Sequence, residues 1–157
     1  MLAWRISERP GFTRVELQGE IDDGVDLAAL ARRLAGPVRL HLGEVRQVSP
    51  LGLRGWLAFV RGLPRVTELV FTNCSPPVVD MLGVLSTFRG AGRVRSFLAP
   101  HRCAACGREE DKLVDVALDL GGGAGPLPRF ACAGCGQPLA LDALPGRYLA
   151  FLGEGAA

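Results

Sequence analysis

A chain of 157 residues has room for one ordinary domain and a small appendage, and 48% hydrophobic with 22% charged residues suits a protein that buries a core in water. The formal net charge of +2 excludes a strong general attraction to nucleic acid or to an anionic membrane surface. Seventeen of the 18 basic residues are arginine and Lys112 is the single lysine, but they are scattered and form no basic run.

The opening MLAWRISERPGF holds no long apolar core, so no signal peptide is expected. No apolar run reaches the roughly 18 residues of a membrane span, because Arg54 and Arg61 interrupt the best candidate. Residues 2–7 (LAWRIS) and 13–18 (TRVELQ) read as strands joined by a turn at Pro10-Gly11. Asp26 then caps a helix with Leu27, Leu30, Ala31 and Leu34 on one face, and Gly36-Pro37 ends it. Val38, Leu40 and Leu42 make the next strand, with His41 between them facing solvent or packing locally.

The stretch VSPLGL follows. Ser49 suits a helix N-cap and Pro50 the first helical position, and Leu53, Trp56, Leu57 and Val60 repeat the helical spacing until Gly62 and Pro64 stop it. ELVFTN at 68–73 is a strand. SPPVVDMLGVL repeats the capping device at Ser75 and Pro76, with Val78, Leu82 and Leu85 on one face. RVRSFL at 93–98 is the last strand of this part. The alternation of strands and helices predicts an α/β fold with a mixed or parallel sheet.

The composition then changes. Residues 1–100 carry 13 arginines against nine acids, a net +4, whereas residues 101–157 carry five basic residues against seven acids, a net −2. The sequence therefore predicts an α/β domain over 1–99 and a small domain over 100–157, each with its own core. In the second, EED at 109–111 reads as a charged solvated turn. Val114, Val116, Leu118 and Leu120 alternate with Asp115, Ala117 and Asp119 as a strand, and GGGAGP at 121–126 reads as a turn or flexible loop.

Four of the five cysteines form two pairs, CAACG at 103–107 and CAGCG at 132–136. Two thiols two residues apart, followed by glycine, let a tight turn aim both sulfurs at one ion. Four thiolates around a tetrahedral ion describe a structural zinc site, so the expected ligands of one zinc per chain are Cys103, Cys106, Cys132 and Cys135. Twenty-five residues separate Cys106 from Cys132, somewhat more than the usual spacing, and the glycine-rich segment absorbs the excess. Disulfides, free thiols and a rubredoxin-type iron site compete with zinc. Paired thiols suit a reducing, cytoplasmic compartment.

Other chemistry is sparse. His41 and His101 are the only histidines, and neither stands in a Ser-His-Asp or Cys-His order. His101 is expected at the surface beside the first cysteine pair, and Cys74 as a small buried residue. GGGAG is not followed by Gly-Lys-Ser/Thr, so it is no P-loop. The expectation is a non-enzyme. A nucleic-acid-associated role for the ribbon is the alternative. The negative charge of that part and its few aromatics, Phe130, Tyr148 and Phe151, argue against it.

LQGEID at 17–22, the strand VRLHLGEV and the turn VSPLGL together resemble the STAS domain family, the sulfate transporter and anti-sigma factor antagonist domains of bacterial signalling. The resemblance covers about residues 13–98. It implies a non-catalytic signalling module that docks a protein partner, a regulatory kinase-like or scaffold protein, through the turn after the third strand. The implied partner surface is Asp22, Ser49, Pro50, Leu51, Gly52 and Leu53. In the family a serine of this turn is phosphorylated. Anchored on Gly52, that acceptor falls on Pro50, which has no hydroxyl, so the phosphoserine switch is expected to be missing. The resemblance says nothing of residues 101–157.

Overall fold

Alternating apolar and polar residues build the first hairpin. In a computed structural model that describes residues 1–123 and 125–153, β1 (Leu2–Arg9) pairs antiparallel with β2 (Phe12–Ile21) across a turn where Gly11 takes φ +85°. Ala124, inside the predicted 121–126 loop, lies outside the described residues. β3 (Gly36–Val48), β4 (Val66–Thr72) and the short β5 (Arg93–Val94) then add in parallel, giving a five-stranded mixed sheet in the order β1-β2-β3-β4-β5. The connecting helices are α1 (Leu27–Ala31), α2 (Pro50–Arg61) and α3 (Pro76–Val84), with a 3-10 turn at Ser86–Arg89.

One face of the sheet is apolar and carries the helices. Val15, Leu17 and Ile21 of β2 and Val38, Leu40 and Leu42 of β3 are almost fully buried with Trp56, Phe59 and Val60 of α2. Trp56 anchors this layer: its ring stacks on Phe88 at 5.2 Å, and its indole N–H donates to the Phe88 carbonyl at 2.8 Å. The other face carries Arg14, Glu16, Arg39 and His41, which are half-buried.

The caps follow the sequence with one exception. Asp26 accepts from the Ala29 amide at 2.9 Å, and Ser49 accepts from the Gly52 amide at 3.0 Å. Ser75 starts α3 but makes no cap; its hydroxyl donates to the Val45 carbonyl at 2.6 Å, so it ties helix to sheet. α1 ends at Ala31, and the buried Leu34 belongs to the turn after it.

A second sheet, in the order β7-β6-β8, is antiparallel throughout and comprises β6 (Ser96–Cys103), β7 (Glu109–Asp115) and β8 (Leu139–Leu141). Here three expectations give way. The 93–98 strand is two strands, because the chain leaves the first sheet at Arg95 and enters the second at Ser96. The EED segment is no turn: Glu109, Glu110 and Asp111 open β7 opposite Arg102, His101 and Pro100. The 114–120 strand stops at Asp115, and Val116–Leu120 is helix α4. Asp115 caps it by accepting from the Leu118 amide at 2.9 Å, and Asp119 reaches back to accept from the Asp115 amide at 2.8 Å. Gly121, left-handed at φ +65°, closes it.

The predicted division at 99/100 falls in the middle of β6, and the two parts do not have separate cores. Cys74 of the first layer pairs with Phe97: its amide donates to the Ser96 carbonyl at 3.1 Å, and its carbonyl accepts from the Leu98 amide at 2.8 Å. Phe97 is fully buried, with Phe151 edge-on at 5.2 Å and Tyr148 at 6.4 Å. These two come from α5 (Pro145–Tyr148) and the 3-10 turn Ala150–Leu152, and the Tyr148 hydroxyl donates to the Leu98 carbonyl. One apolar cluster therefore runs from Leu2 to Leu152. Among the described residues no helix is long and apolar enough to cross a membrane.

Candidate metal centre

The two cysteine pairs sit on matching turns. In the first, the Cys103 amide donates to the Arg108 carbonyl at 2.9 Å and the Gly107 amide to the Cys103 carbonyl at 2.8 Å. In the second, Cys132 donates to the Gln137 carbonyl and Gly136 to the Cys132 carbonyl, both at 2.8 Å. Gly107 at φ +76° and Gly136 at φ +75° occupy the left-handed region, where a side chain would strain the turn. Cys103 ends β6, and the second turn is carried to its side by β8, where Leu139 is the register partner of Cys103.

The result is one cluster. The sulfurs of Cys103, Cys106, Cys132 and Cys135 all lie within 4.8 Å of one another. The Cys103–Cys135 and Cys106–Cys132 separations are 3.5 and 3.6 Å. A disulfide holds its sulfurs at about 2.05 Å. Tetrahedral ligands at about 2.3 Å from a shared ion stand about 3.8 Å apart. The observed spacing fits the second arrangement, so these four residues form a group that can hold a metal ion. Cys103 and Cys132 are buried, while Cys106 and Cys135 are exposed.

The electrostatics fit the same reading. The Cys106 amide, followed by the Cys135 thiol and the Ala105 amide, lowers the Cys103 thiol to about 7. Once that proton leaves, the others are harder to remove. The Gln137 amide lowers Cys135, but hydrogen bonding with Cys103, burial and the other thiols outweigh it and push Cys135 up to about 12. Cys106 is also raised: the Arg108 amide favours its thiolate, and its Cys132 and Cys103 neighbours oppose it more strongly. Crowded like acids resist a second ionisation, and a bound divalent cation removes that resistance.

Glu110 is the supporting residue that the sequence reading missed. Its carboxylate is 12% exposed, meets Arg108 at 3.3 Å and Lys112 at 3.6 Å, and accepts from the Ala133 amide at 3.4 Å. It thus ties the hairpin of the first pair to the turn of the second. His101 corrects another expectation. It is buried, not superficial, with Nδ1 at 2.8 Å from the Ala99 carbonyl and its ring edge-on to Phe130 at 5.1 Å. It packs beneath the cluster and is not part of it.

The residues expected at a partner surface do gather. The Ser49 amide donates to the Ile21 carbonyl at 2.9 Å, which brings the start of α2 against the end of β2 beside Asp22. Pro50 and Leu51 are exposed, Leu51 by 61%, and Asp22, Ser49 and Leu53 are half-buried. Gly52 is different. It is buried, and a Cβ there would lie 2.0 Å from the Ile21 carbonyl oxygen and 2.7 Å from the Asp22 Cα. Its role is close packing of helix on strand, so it offers no surface to a partner. Cys74 is fully buried, and burial pushes its thiol far up, away from nucleophilic use. His41 is lowered by burial and then by Arg14, against Glu16 and Glu44. Neither a protein-family model nor a curated protein matches the chain.

Proposed function

We propose that the chain is a non-catalytic interaction module in the manner of STAS domains, carrying one structural zinc in a C-terminal ribbon and docking a protein partner through the start of α2. The observation that carries the reading is the exposed Leu51 at the head of α2, next to Asp22 and immediately after the N-cap Ser49 and Pro50. A large apolar side chain held at the tip of a rigid, capped helix is a ready anchor for a partner. Four thiols fill a tetrahedral shell and leave no position for substrate, which supports a structural metal over a catalytic one. With proline at 50 and the Ser49 oxygen already accepting a backbone amide, the turn keeps one state.

The test compares proteins captured from the native cell by the wild type and by Leu51→Asp. The expected outcome is one partner present with the wild type and lost with the variant, at unchanged zinc content. Identical captures would contradict the reading, as would stoichiometric phosphate on Ser49 in protein from its native cells. If nucleic acid is the partner instead, binding will fall steeply with salt and ignore Leu51→Asp.

A further inference from the structure

The open face of the first sheet carries a cleft of about 390 Å³ where β2 and β3 meet β7 of the second sheet. Its basic residues are arranged against their own interest. Arg14 and Arg39 are direct register partners on adjacent parallel strands. Like charges opposite one another on a sheet destabilise it unless something neutralises them. Arg14 is answered in part, by Glu16 at 2.8 Å. Arg39 lies over the Phe12 ring, 3.9 Å from its centre, and among the described residues no carboxylate pairs with it. A third arginine, Arg95, enters from the crossover into β6 and meets Asp115 at 3.6 Å.

The second observation is an orphan. Nε of Arg14 is buried and has no hydrogen-bond partner, the one such side-chain nitrogen or oxygen among the described residues. A buried guanidinium donor without an acceptor costs about 1–3 kcal/mol, so an acceptor belongs there. Around it the cleft offers further donors. Asn73, held at φ +51° by its strand end, has its amide oxygen engaged by the Ser96 hydroxyl at 3.2 Å, which leaves its NH2 to give. Thr72 and His41 stand on the next rung of the sheet.

We infer that this cleft binds the phosphate group of a small molecule, or free phosphate, through Arg14 and Arg39, with Arg95 and Asn73 closing around it. Donors that converge from β2, β3 and the β4–β6 crossover surround a tetrahedral oxyanion better than a flat carboxylate. Leu113 and Asp115 of β7 form the far wall, so an occupant also holds the second sheet against the first. The inference does not depend on a protein partner at α2.

The test is calorimetric titration of the full zinc-loaded chain with inorganic phosphate, glycerol phosphate and acetate at constant ionic strength. Saturable binding of one phosphate per chain is expected, at least tenfold weaker in both Arg39→Gln and Arg14→Gln and unchanged in the distant Arg32→Gln. Tighter binding of glycerol phosphate assigns the site to a phosphorylated small molecule, and equal binding assigns it to free phosphate. Far-UV circular dichroism checks that each variant is folded. If Arg14→Gln fails to fold, Arg39→Gln alone decides. Three results would overturn the inference: no saturable binding below about 10 mM, acetate binding as well as phosphate, or phosphate binding untouched by Arg39→Gln.

Discussion

The sheet that carries α1 to α3 and the ribbon that carries the cysteines are held together by different means. In the first, each strand buries every second residue against a helix layer, and Trp56, Phe71, Phe88 and Leu17 are almost wholly out of water. In the ribbon the apolar residues cluster only at its base, where Val114, Val116, Leu120, Tyr148, Phe151 and Leu152 join the Phe97 layer. Near the tip there are two buried thiols, His101 and the partly buried Phe130. Burial thus supports the base, while the tip depends on what its four sulfurs hold. The contrast teaches that the functional boundary in this chain is not where the composition shifts. It lies within the ribbon, between a base fused to the α/β layer and a tip that needs its ion.

The comparison breaks most sharply at the cysteines. Cys132→Ser is expected to abolish zinc binding, which for a site of four thiolates is worth on the order of 10 kcal/mol as an apparent value. Elemental analysis reads the metal, and tryptophan fluorescence from Trp4 and Trp56 should stay native because the α/β layer keeps its core. Full zinc occupancy in the variant would refute the ligand set. Next, Phe97→Ala removes the ring that both halves share. It should cost about 3–5 kcal/mol and lower both halves' melting together. Two separate transitions, with only one shifted, would mean that the halves do not share a core.

Smaller effects sharpen the picture within the α/β layer. Gly52→Ala forces a Cβ to within 2.0 Å of the Ile21 carbonyl oxygen, so α2 must lift from β2 at a cost of about 3 kcal/mol, seen in the denaturant midpoint. A neutral result would show that the helix start is looser than its packing. Ser49→Ala loses one cap bond and should cost about 1 kcal/mol by the same measurement, leaving zinc content untouched.

Much of this was legible in the residues. The cysteine spacing with its trailing glycines announced the cluster, and Asp26 and Ser49 announced their helices. The α4 segment was misread because VDVALDL satisfies two periods at once. Val116 and Leu120 are spaced i, i+4, while the alternation also fits a strand. The choice is made by the reciprocal bonds of Asp115 and Asp119, which no hydropathy pattern records. His101 could have been found. Phe97, Ala99, His101 and Cys103 are the buried alternate residues of one strand, a pattern hidden by drawing a boundary at Pro100. The pairing of Arg14 with Arg39 was invisible, since the register between two strands is a property of the sheet.

The central claim, a metal-dependent tip on a base fused to the α/β layer, is tested most directly by amide hydrogen exchange before and after chelation of the metal. The account predicts that the Gly107, Cys132 and Gly136 amides lose protection while those of Leu98 and Val116, which donate to Cys74 and Arg95, keep theirs. Protection lost across the whole chain, or lost nowhere, would contradict it.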